Sequence, residues 1–151
     1  MALFFLIISV LTWYFIKTYN LVKPLEISIN ESESNIKVIL QKRLTIIDKL
    51  NHIVNSYSRY EKDIVQRLSE DMRGNSNNMF TINRLYDAYP ELKLNDTFQD
   101  QIERLYSIET ERQVSIEYFN NRVKSYNQSV TSFPAIIICS IMSFKEKQFF
   151  I

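Results

Sequence analysis

Few residues in this chain have the types that carry out reactions. The 151 residues hold one histidine, His52, and one cysteine, Cys139. A cysteine nucleophile needs an imidazole or similar base within hydrogen-bond reach, and nothing in the surroundings of either residue brings them together. Cys139 sits in the apolar run IIICSI, the setting of a buried, inert thiol. His52 lies two residues from both Leu50 and Val54, off their apolar stripe, and reads as a solvated surface residue. Gly74 is the only glycine, so no glycine-rich phosphate loop exists. The carboxylates Glu31 and Glu33, and Glu70 and Asp71, lack the Glu-x-x-His spacing of a di-iron bundle. No catalytic, cofactor-binding or metal-ligating residue is expected.

The unusual polar residues are four charges at positions where a helix should be apolar. Ile36, Leu40, Arg43, Ile47, Leu50, Val54, Tyr57, Glu61, Ile64 and Leu68 alternate in steps of four and three. Phe98, Ile102, Leu105, Glu109, Arg112, Ile116, Phe119, Val123, Tyr126, Val130 and Phe133 do the same. This is the heptad period of helices packed along a seam. Arg43, Glu61, Glu109 and Arg112 interrupt the two seams, and an unpaired charge there costs several kcal/mol. Pairing across an antiparallel hairpin relieves that cost. With Leu68 level with Phe98, Glu61–Arg112 is the expected pair. Such pairs set register; the other reading is a polar site in the core that binds a ligand or ion.

The elements that must hold these seams are helices. One glycine and three prolines disfavour a turn-rich β fold, and the fold class expected is all-α. Met1–Ile16 carries no charge and no proline. Continued through Val22 as a helix it is roughly 33 Å long at 1.5 Å per residue, enough for the hydrocarbon core of a bilayer. Trp13, Tyr14 and Tyr19 fall where an interfacial aromatic belt belongs, and Lys17 can snorkel to the headgroups. No basic region precedes the apolar run and no small-x-small cleavage site follows it, so an uncleaved anchor is expected rather than a signal peptide. Lys17, Lys23 and Lys37 follow the run while no lysine or arginine precedes it. The positive-inside rule then sets the N-terminus outside and the C-terminal part in the cytoplasm.

In chain order this gives a transmembrane anchor over 1–22 and a juxtamembrane linker over 23–35. Pro24 should kink or interrupt a helix in that linker, and Asn30–Ser34 supplies a helix start. A helical bundle follows over 36–134, with long helices over 36–70 and 97–133. Gly74 and its polar neighbours make a loop, and a short helix over 79–89 turns Phe80, Leu85 and Tyr89 inward. It stops at the Tyr89–Pro90 step. Asn95, Asp96 or Thr97 caps the second long helix, with Asp96 and Gln99 resembling a capping box. The apolar segment 135–151 is too short to span. An antiparallel return brings it to the bilayer, either capping the bundle or lying in the interface. The 18 Lys and Arg nearly cancel the 17 Asp and Glu, so nucleic acid is not an expected partner.

Taken together, these residues resemble the bacterial LemA family. Tyr89–Pro90–Glu91–Leu92–Lys93 with Asn95 and Phe98 is similar to that family's YPELKxNxxF. Glu109, Phe119–Asn120, Tyr126–Asn127 and Phe133–Pro134 keep its order and spacing, as do Tyr19–Asn20, Leu21–Val22 and the first seam from Ile36 to Glu61. Four departures stand out, one being a shorter helix and loop between Leu68 and Tyr89. Arg112 and Ile116 exchange the family's apolar and arginine positions, which keeps a cation near Glu109. Ser143 replaces a glycine, and Pro24 interrupts a commonly continuous helix. The resemblance implies a single-pass membrane protein with an antiparallel helical bundle, and it supplies no catalytic residues.

Three functions follow as expectations. The first is a non-enzymatic, membrane-anchored scaffold or interaction module, with the bilayer and a membrane or envelope protein as partners. The second is a membrane-tethered sensor that binds a ligand through the seam charges. The third, a hydrolase, requires a polar cleft at His52 or Cys139.

Overall fold

The computed structural model describes residues 1–56, 70, 74 and 78–150. Every regular element among them is helical: α1 (Ala2–Ser56), α2 (Asn78–Ala88), a 3-10 turn (Pro90–Leu94), α3 (Asp96–Thr131) and α4 (Ala135–Ile141). The expected all-α fold is found. The chain divides into two compact units, Met1–Ile36 with Val114–Ile151, and Lys37–Gln113.

The first unit corrects the sequence reading. There is no break at Pro24 and no helix start at Asn30, because residues 23–35 lie inside α1. A proline within a helix removes one backbone donor at a cost of about 3 kcal/mol. Here the packing of the flanking turns offsets it, since Val22 and Ile29 on either side are almost completely buried. Thr18, Val22, Ile29, Ser32 and Ile36 are all buried, with Leu25 partly so. That is the heptad progression of the first seam, running back through Pro24 to the apolar run. Thr18 and Ser32 concealed it, because small hydroxyl residues do not read as apolar. The Ser32 hydroxyl is satisfied by donating 2.7 Å to the Ser28 carbonyl, the back-bond that lets serine sit inside a helix.

On α3 the unit buries Phe119, Val123, Tyr126 and Val130. Phe133 is not a seam member: it lies beyond the end of α3 and is 83% exposed. α4 then buries Ala135 and Cys139. It ends in a Schellman motif, with Phe144 N–H on the Cys139 carbonyl at 2.9 Å and Ser143 N–H on the Ser140 carbonyl at 3.2 Å. That motif requires a left-handed residue before Phe144, and Ser143 takes it with φ 60°. This is the position where the resembling family has glycine.

The second unit is built on one apolar cluster. Ile46, Ile47, Leu50 and Val54 of α1 pack with Ile82 and Leu85 of α2, Leu92 of the 3-10 turn, and Phe98, Ile102 and Leu105 of α3. Seam members Tyr57, Glu61, Ile64 and Leu68, and the side chain of Phe80, lie outside the described residues. The best motif of the sequence turns out to build this joint. Tyr89, at φ −138° and ψ 77°, leaves the helical region before Pro90, and Leu92 enters the core. The Asn95 side chain accepts the Phe98 N–H at 2.7 Å, so Asn95 is the cap of α3. The expected Asp96–Gln99 box is not formed. Gln99 instead accepts from the Tyr86 hydroxyl at 3.0 Å and donates to the Leu92 carbonyl at 3.3 Å.

Candidate functional site

Three of the four seam charges are described, and they meet at one carboxylate. Arg43 and Arg112 both donate through Nε to Glu109, the latter at 2.9 Å. Arg43 reaches from α1 while Arg112 sits one turn along α3 from its partner. Arg43 also donates to the Gly74 carbonyl at 3.2 Å, so its fork is shared between a side chain and a turn. Burial raises the Glu109 carboxyl, but the hydrogen bonds and charges of Arg43 and Arg112 outweigh it and hold it below 4.5.

The expected Glu61–Arg112 pair rests on Glu61, outside the described residues. The register behind it is corrected: Arg43 stands opposite Glu109, with Lys42 Nζ 3.9 Å from Glu111. The expectation set Leu68 level with Phe98. In fact α2 and the 3-10 turn fold back into the core, and that shifts the pairing. The exchange of arginine from position 116 to 112 does keep a cation on Glu109.

A second arrangement, in the first unit, went unnoticed in the sequence. Beyond Ser143 the chain runs without regular secondary structure along α1 and α3. The Asn127 amide accepts the Lys147 N–H and donates to the Lys147 carbonyl, both at 2.9 Å. Asn120 treats Phe150 in the same way, at 2.8 and 3.0 Å. The two asparagines are two helical turns apart on α3, about 10.5 Å, which matches the reach of three extended residues, about 10 Å. On the α1 side the same pitch recurs: Tyr19 meets Phe144 with ring centroids 6.3 Å apart, and Glu26 lies 3.8 Å from Lys147 Nζ. The Phe150 ring stands edge-on to Phe119 at 6.3 Å. Each amide supplies the donor and acceptor a neighbouring β-strand would supply, so the site recognises backbone rather than side chains. The signal available in the sequence was the heptad interval between Asn120 and Asn127, each following a buried aromatic.

Clefts do occur at both residues the hydrolase reading depends on. One of about 490 Å³ is lined by Asp48, Lys49, His52, Thr97 and Gln101. His52 is exposed there, as expected, and the Thr45 hydroxyl at its edge donates 3.0 Å back to the Gln41 carbonyl. Another of about 360 Å³ touches Cys139. Cys139 is buried, and that burial pushes its thiol up, away from the reactive thiolate. Among the described residues no three potential metal ligands converge.

The fold and these arrangements define a class: an all-α protein whose first helix is long and apolar enough to cross a membrane. A sequence model of the LemA family matches residues 32–151. The chain belongs to the LemA family. No curated protein matches it.

Proposed function

We propose that this LemA chain is a bacterial single-pass membrane protein whose helical part is a non-enzymatic scaffold or interaction module on the cytoplasmic side, binding another membrane or envelope protein. The observation that carries this reading is the continuity of α1. Its residues from Ala2 to Ile16 carry no charged side chain and are exposed apart from the half-exposed Tyr14, and the same helix then supplies the buried seam. A soluble protein does not leave such a surface bare. Lys17, with its ammonium 5.1 Å from the Trp13 ring centroid, and Lys23 support the orientation. Val114 and Tyr118 offer exposed apolar surface on α3 for a partner.

Alkaline carbonate extraction should leave the full chain in the membrane pellet, and release into the supernatant would overturn the anchor. A reporter fused after Phe144 should be active only as a cytoplasmic fusion; periplasmic activity reverses the orientation. Photocrosslinkers at Val114 and Tyr118 in intact membranes should capture a discrete membrane protein, and capture of none along α3 removes the module reading.

One observation favours the sensor reading: two guanidiniums, of Arg43 and Arg112, converge on the one carboxylate of Glu109. A melting temperature raised by phosphate or a small carboxylate, and no longer raised in Arg112→Met, would carry it. No rise removes it.

A further inference from the structure

The first unit contains a second stretch free of Asp, Glu, Lys and Arg, Ser125 to Phe144. Within it α4 has two faces. Ala135 and Cys139 point inward, whereas Ile136, Ile137 and Ile141, with Phe133 just before them, are exposed. The contact of Phe144 with Tyr19 sets this outward apolar face beside the end of the uncharged run of α1. Charge resumes at this level on both segments, at Lys17 on one and Lys145 on the other.

We propose that Phe133–Ile141 inserts into the headgroup–acyl boundary of the same bilayer that α1 spans, as a second point of membrane attachment. The inference rests on the anchor reading above. A bilayer suits this face better than a protein partner for two reasons. The face ends where lysines begin, and lysines at that level match anionic headgroups. The adjoining cleft of about 360 Å³ carries Thr131, Ser140, Ser143, Lys145 and Glu146, hydroxyl and charged groups that belong in a headgroup layer rather than among acyl chains. A seven-residue apolar helix, about 10.5 Å long at 1.5 Å per residue, is too short to cross a bilayer and can only lie at its boundary.

The test uses the full chain carrying Trp13→Phe and Ile137→Trp, reconstituted in vesicles of phosphatidylcholine and phosphatidylglycerol. Val114→Trp in the same background is the water-exposed reference, and Ile141→Trp is a second reporter. Emission from residue 137 or 141 should shift to shorter wavelength than the reference. It should also lose intensity with lipids brominated near the headgroup end of the acyl chain, and resist aqueous iodide. If the protein floats with the vesicles but both reporters are quenched by iodide and untouched by brominated lipid, the second attachment is wrong and the anchor stands. If the protein does not float, the anchor reading fails and this inference fails with it.

Discussion

Asn127 holds Lys147 by its backbone, one side-chain amide taking both the N–H and the carbonyl of a single residue at 2.9 Å each. Asn120 repeats this on Phe150, so the tail is bound to α3 at two points set by the helical repeat. In Asn127→Ala two partly buried backbone groups lose their partner, a loss of about 1–3 kcal/mol. Amide hydrogen exchange should accelerate from Lys147 to Phe150 while the core of α3 stays protected. Unchanged exchange in the tail would show that the clamp is not what holds it. Asn120→Asp keeps the acceptor for Phe150 N–H but sets a carboxylate against its carbonyl, and should loosen the tail in the same way.

Ser143 occupies the left-handed position that closes α4. A non-glycine residue there carries a penalty of about 1–2 kcal/mol. Ser143→Gly should therefore raise the melting temperature, whereas Ser143→Val should lower it. A drop in Ser143→Gly would mean that the serine makes a compensating contact.

The ion cluster predicts an acid limb. The folded carboxyl of Glu109 lies below its unfolded value, so its contribution to stability is complete above about pH 4.5. It is lost as the pH falls through the lower folded value. Glu109→Gln should cost about 3 kcal/mol at neutral pH and flatten that limb in urea titrations. An acid limb of unchanged slope would assign it to other carboxylates. Replacing Arg43, Glu109 and Arg112 together by apolar residues should recover part of the loss, because no charge of the cluster is then left facing an empty partner.

Tyr126 is fully buried and its hydroxyl has no hydrogen-bond partner among the described residues. Burial, with the Glu26 charge and Cys139 adding to it, pushes its phenol up. Removing an unsatisfied hydroxyl while keeping the ring should be neutral or stabilise by about 1 kcal/mol. Tyr126→Phe should melt at or above the native temperature. A clear loss would reveal a water or partner on that oxygen.

Cys139 is 1% exposed and its thiol is pushed up by burial. The folded full chain should resist maleimide at neutral pH and react fully once denatured. Rapid labelling of the folded protein would contradict the packing of α4.

The heptad spacing by itself determined that the chain is helical, which face of α3 is buried from Phe98 to Val130, and that Arg43, Glu109 and Arg112 lie along the packed seam, Arg43 buried and the other two partly so. Residue type and a fixed period settle such questions locally. It also marked Met1–Ile16 as the segment with no aqueous solution to its apolar surface. Pro24 misled, because the local cost of a proline is visible in a sequence and the packing that offsets it is not. Pairing was likewise beyond local reach. That Arg43 faces Glu109 depends on α2 and the 3-10 turn folding back into the core, a matter of how distant segments share volume. The clamp needed tertiary structure most of all. Asn120 and Asn127 are unremarkable polar residues on a helix until the chain reverses at Ser143 and lays the backbone of Lys147 and Phe150 against them.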